Sequence, residues 1–165
     1  MHAKNNPEQS ATLTSAADLP IDDFEIGLLP LFRHFTLALS GKNPKAWQLA
    51  YGLAAERWGA PIGLSVAHEI GQLVAALENT RGSLPNVQDP LCINARLLVT
   101  LDEEYFLLMV HHMRRDETAD AREAVWALTE GHTLAGFIRQ ALGFSARYSL
   151  VTPNVSRRGP ALRIV

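Results

Sequence analysis

The stretch PIGLSVAHEIGQLVAALENTRG, residues 61–82, constrains the fold of this chain more than any other. At roughly 100° per residue, Ile62, Val66, Ile70, Leu73 and Leu77 fall on one side, while Ser65, His68, Glu69, Gln72 and Asn79 oppose them. That is the pattern of a half-buried amphipathic helix. Beside the apolar stripe runs one small residue every fourth position, Gly63, Ala67, Gly71 and Ala75, so a neighbouring helix can approach closely. The ridge suits packing within the chain or, in its exposed portions, a dimer seam.

Other helices are marked by their breakers. Pro30 ahead of LFRHFTLALSG suits a first-turn proline, with Gly41 as terminator, giving one helix or a kinked pair from Ile21 onward. Asn43-Pro44 opens KAWQLAYGLAAERWG, which Gly59 and Pro61 close. Ser83 to Pro90 reads as a loop, and Asp89-Pro90 as the cap of a short helix through Leu98. Thr100 with Glu103 makes the T-x-x-E capping box of the next helix. Asp116 or Thr118 caps ADAREAVWALTE, which Gly131 ends, and TLAGFIRQAL forms a last helix ending at Gly143.

The expected fold is therefore all-α: a single-domain bundle of about six helices over residues 21–144. Residues 1–20 have almost nothing to bury and are expected to form a disordered tail. Residues 145–165 are expected to form a basic, extended arm, in which β-branched runs and a Thr-Pro-Asn turn admit a small hairpin.

Composition narrows the chemistry. A chain of 165 residues, 47% hydrophobic and 19% charged, is long enough for one autonomous core. A net charge of -2 and a pI near 6.3 give no global footprint for nucleic acid or an anionic membrane. Cys92 is the only cysteine, which excludes an intramolecular disulfide and a thiolate zinc cage and fits a reducing compartment. With no apolar leader and no uninterrupted apolar run of roughly 20 residues, a cytoplasmic protein without membrane association is expected.

The histidines are the obvious candidates for chemistry. With Leu101 at the centre of the apolar stripe, His112 falls about 20° away, among Tyr105 and Leu108, and His111 near 280°, beside Glu104 and Arg115. On that basis His112 is a core or interface residue, His111 is a solvated neighbour of Glu104, and the two do not chelate one ion. His68-Glu69 resembles the start of a zinc-protease helix, but position 72 is Gln and the second ligand is missing. His34 reads as a core residue and His132 as serving a helix end. Met109 and Met113 join Phe106 and Val110 in a broad apolar face, so Tyr105, Met109, His112 and Met113 are a candidate interaction or pocket surface. Cys92, between Leu91 and Ile93, is expected to be buried and inert. The carboxylates Asp102, Glu103 and Glu104 are explained by the helix dipole. No glycine pattern for a nucleotide is present. No catalytic residue, metal or cofactor is assigned.

Residues 118–143 have the loose outline of a helix-turn-helix, but its flanking carboxylates would repel a duplex, and nucleic acid is disfavoured. Basic residues gather instead in the arm, at Arg147, Arg157, Arg158 and Arg163. The expected function is a small interaction or regulatory protein whose partner is another protein or a second copy of itself. Its surfaces would be the Gly63–Ala75 ridge, the Tyr105–Met113 face, or Arg157 and Arg158 in the arm. Two alternatives stand beside it: a DNA-binding regulator with a degenerate helix-turn-helix, and a small-ligand binder or enzyme with a pocket near His112, Tyr105 and Cys92.

Overall fold

The computed structural model describes residues 13–151. Within them six helices, α1 (Asp23–Leu39), α2 (Ala46–Trp58), α3 (Ala60–Arg81), α4 (Leu101–Arg114), α5 (Thr118–Leu128) and α6 (Ala135–Arg147), build an all-α domain. Two short strands, β1 (Thr14–Ser15) and β2 (Leu98–Val99), form an antiparallel pair at its edge.

The start of α1 is set by a reciprocal box. The Asp22 carboxylate accepts the Glu25 N–H at 2.9 Å, and the Glu25 carboxylate accepts the Asp22 N–H at 2.8 Å. Pro30 therefore lies inside the helix instead of opening it. The missing proline N–H removes one helical hydrogen bond, and burial of Leu28, Leu29, Leu31 and Phe32 around it holds the helix together.

Gly59, at φ 78°, separates α2 from α3 in the left-handed region that glycine favours. The two helices then pack so closely that a Cβ on Gly63 would lie 2.1 Å from the Ala54 carbonyl oxygen. A Cβ on Gly71 would meet the Phe35 ring of α1 at 3.0 Å. The small-residue ridge is thus covered from within: Gly63 and Ala67 are buried, Gly71 and Ala75 partly so. Only Gly71 and Ala75 of the ridge keep part of their surface exposed. Among the described residues α3 alone is long and apolar enough to cross a membrane, by length and composition, but here α1, α2 and α6 pack against it.

Residues 13–20 belong to the fold and not to a tail. Ala16 donates its N–H to the Leu97 carbonyl at 2.7 Å and is buried, extending the β1–β2 pairing by one bond. The short helix expected before Leu98 is reduced to a single 3-10 turn at Ile93–Ala95, because Leu98 and Val99 are taken up as the partner strand. At the other end α6 runs through Gly143 to Arg147, drawn on by Phe144, which is 1% exposed and packs with Phe24 and Tyr148. The first part of the expected arm is therefore helical, and Arg147 pairs with Glu69 at 2.5 Å. Arg157, Arg158, Arg163 and the expected hairpin lie outside the described residues, as do residues 1–12.

Candidate functional site

Helix α4 decides where the polar chemistry of this fold sits. Its buried face is not centred on Leu101, which is 49% exposed, but carries Glu103, Phe106, Leu107, Val110, His111 and Arg114. The assignment of the two histidines is reversed as a result. His111 is buried, and His112 is the partly exposed one. The helical wheel fails here because it treats Glu103 and Arg114 as solvated, whereas both point inward and are neutralised by partners on α1.

At the amino end of α4, Arg33 donates to both carboxylate oxygens of Glu103, at 2.6 and 3.1 Å. Its remaining donors reach the Ala95 and Leu98 carbonyls at 3.2 and 2.6 Å. Glu103 also accepts the backbone N–H groups of Gln88 and Thr100. The carboxylate is thus more than a dipole partner: it is the buried anchor of the loop from Ser83 to Val99.

At the carboxyl end the cluster is larger. Glu25, fully buried, accepts from Arg114 at 2.5 Å and Arg115 at 2.6 Å, and His111 Nδ1 meets its other oxygen at 3.0 Å. Arg114 also reaches Asp22 at 2.6 Å and the Tyr148 carbonyl at 2.8 Å, and stacks over Phe24. Burial pushes the Glu25 carboxyl up, but hydrogen bonds from Arg115, the Asp22 N–H, His111 and Arg114 outweigh it and hold the group below its usual range. Asp22 is lowered in the same way, burial being overcome by the Glu25 N–H and the two arginines.

The chain then reverses. Asp116 takes φ 60°, a conformation uncommon outside glycine, and the Glu117 N–H returns to the His112 carbonyl at 2.9 Å. This tight return brings Glu117 Oε2 to 2.6 Å from His112 Nδ1. His111, His112 and Glu117 each offer a ligand atom within 4.8 Å of the other two. Spacing within the helix argues against such a group, because its third member lies beyond the helix end.

Beside this turn opens a cleft of about 520 Å³ between α4, α5 and α6. Its apolar lining is Met113, Val125, Trp126, Ile138 and Leu142, with Asp116, Glu117, Thr118, Arg122 and Thr133 supplying polar groups. Trp126 is 60% exposed and Leu142 50%, which is unusual for large apolar side chains in a concave surface. Trp126 is steadied by the Gly131 turn, where a Cβ would meet its ring at 3.1 Å. The cleft exists because α5 packs chiefly on α4, while α6 packs on α3 and α4. The pair is accordingly not the self-packed unit of a helix-turn-helix.

Of the residues singled out from the sequence, Met113 lines the cleft and His112 lies at its acidic turn, hydrogen-bonded to the lining Glu117. Met109 is fully buried in the core and Tyr105 is half-buried. Cys92 is exposed on its loop, with Leu91 and Ile93, instead of buried, because the only helical structure there is the single 3-10 turn Ile93–Ala95, which does not cover it. Neither Cys92 nor Tyr105 lines the cleft. His34 is buried with Nδ1 unpartnered, and burial lowers its pKa against the opposing pull of Asp89. His132 Nδ1 lies 3.1 Å from the Thr129 carbonyl at the end of α5, and exposed His68 faces the Tyr51 hydroxyl. Sequence reasoning missed Glu25, Glu117, Trp126, Ile138 and Leu142. The one legible signal among them was the Asp22-x-x-Glu25 spacing. Comparison of the chain with protein-family models, with curated proteins and with solved structures finds no match.

Proposed function

We propose that this chain is a binding protein that takes an apolar small molecule in the cleft between α4, α5 and α6. One observation carries the reading: a concave space of about 520 Å³ whose lining includes the exposed faces of Trp126 and Leu142 together with Met113, Val125 and Ile138. A volume of this order and a lining of this kind are those of small-molecule sites. An occupant that fills the gap also bridges α5 to α6, which otherwise touch little. Asp116 and Arg122 offer opposite charges at the site, which favours a ligand with one polar end.

The test is titration of the protein with the apolar fluorophore 1-anilinonaphthalene-8-sulfonate, comparing wild type with Ile138→Asn and Leu142→Asn. Saturable binding near one per chain, weakened about tenfold by either substitution, supports the reading. Equal binding by all three proteins overturns it.

A further inference from the structure

Three groups at the α4–α5 turn have a chemistry that an apolar ligand does not need. We propose that His111, His112 and Glu117 hold a divalent transition-metal ion of the zinc type. Their ligand atoms lie within 4.8 Å of one another. A tetrahedral zinc site, with metal–ligand distances of about 2.0–2.2 Å, has donor–donor edges of about 3.3 Å. Adjustment falls on the freest member, Glu117, whose side chain is 44% exposed and, among the described residues, hydrogen-bonds only to His112.

The first histidine is prepared for the task. His111 Nδ1 faces Glu25 at 3.0 Å, and that buried carboxylate is itself fixed by Arg114 and Arg115. With Nδ1 engaged, Nε2 is the nitrogen left to bind an ion. A carboxylate behind a ligating imidazole is the arrangement that sets the tautomer, fixes the ring and raises its basicity at metal sites. The rings of His111 and His112 stand nearly perpendicular, at 87° with centroids 5.0 Å apart, so the two do not stack against each other. Adjacent helical positions diverge by roughly 100°, and the return of Glu117 closes the gap between them.

The donor set selects the ion. Two imidazoles and one carboxylate suit zinc, cobalt or nickel over calcium or magnesium, which take oxygen ligands. Three protein ligands leave a fourth position for water or another donor. His112 Nδ1 and Glu117 Oε2 already lie 2.6 Å apart in a hydrogen bond. The ion would take the place of this hydrogen bond, with His112 Nδ1 and Glu117 Oε2 as two of its donors.

The experiment uses the full, untagged chain, stripped with a chelator and titrated with cobalt(II) and zinc(II) by calorimetry, with cobalt uptake also followed by its visible absorption. One ion per chain is expected, with a band of tetrahedral intensity. His112→Gln and Glu117→Gln should each weaken binding at least tenfold, while Cys92→Ser and His132→Gln leave it within twofold. Neither Glu117 nor His112 is a core residue, and circular dichroism verifies that both variants fold. Unchanged binding in both variants, loss of binding in Cys92→Ser, or no uptake by wild type at 100 μM ion each overturns the proposal. The result is separable from the cleft reading, because the Ile138→Asn protein, blocked for the apolar fluorophore, should still take up one cobalt.

Discussion

Both ends of α4 bury a carboxylate against an arginine from the opposite helix, yet they are built differently. At the amino end the arginine belongs to α1 and the carboxylate to α4: Arg33 and Glu103 are 3% and 0% exposed, and loop carbonyls and backbone N–H groups complete both. At the carboxyl end the roles are exchanged, and Glu25 gathers Arg114, a second arginine that is 22% exposed, and His111. The closed cluster locks a loop. The open one leads through His111 to a histidine, a returning glutamate and an apolar cleft. A buried polar network with every group satisfied is the mark of architecture; one that ends on partly exposed donors leaves chemistry available.

Removing one charge from each end should have the largest effect. Arg33→Met should cost about 3–5 kcal/mol in urea unfolding, since it strands Glu103 in the core. Glu25→Gln should cost less, about 1–3 kcal/mol, because the glutamine still accepts hydrogen bonds and Arg115 can turn to solvent. Equal losses would remove the distinction between a closed and an open end.

The α2–α3 contact ranks next. Gly63→Ala places a Cβ 2.1 Å from the Ala54 carbonyl oxygen, a backbone atom that cannot swing aside. Overpacking of this kind should destabilise by about 1–3 kcal/mol, seen as a lower urea midpoint without a change of slope.

Acid acts on the open end through its carboxylates. Glu25 and Asp22 have folded-state pKa values below their usual 4.5 and 3.8. In that window the unfolded chain binds more protons, so their contribution is complete above those usual values and is lost as pH falls through the folded ones. The Glu25→Gln protein should therefore lose less stability than wild type between pH 5 and the acid transition. His34, lowered from 6.5 by burial, has the same sign at higher pH: its contribution is full above 6.5 and falls as pH drops through its folded value. Thermal unfolding across pH 3–8 checks both.

The smallest effect runs the other way. Gly143 sits inside α6 without positive φ, and a Cβ there meets nothing within 4 Å. Gly143→Ala should stabilise by about 0.5–1 kcal/mol, measured by the urea midpoint.

The helices themselves were legible wherever periodicity and caps agreed. The Thr100–Glu103 box stands as the sequence suggests, and so does the α3 stripe from Val66 to Leu77, whereas Ile62 at its start is 52% exposed. The errors come from residues whose setting depends on distant partners. Glycine at 143 and proline at 30 read as boundaries because local propensity is all that a sequence displays, whereas Phe144 and the apolar residues around Pro30 hold those helices by tertiary burial. Residues 13–20 gave little apolar signal beyond Ala16 and Leu19, since a two-residue strand pair is a backbone event. The site was least legible of all. Charged Glu103 and Arg114 occupy the buried face of α4, so the wheel was turned the wrong way, and no rule of spacing foresees the left-handed Asp116 that returns Glu117 to His112.

In the proposed function the α4–α5–α6 region, and not another exposed apolar surface, is where this protein binds. Amide chemical-shift mapping of the isotope-labelled chain, as the same fluorophore is added, tests it most directly. The shifted signals should gather on Met113–Trp126 and Thr133–Leu142. Shifts gathered instead around Trp47, Leu49 and Leu64, or on the Leu91–Leu98 loop, would contradict it.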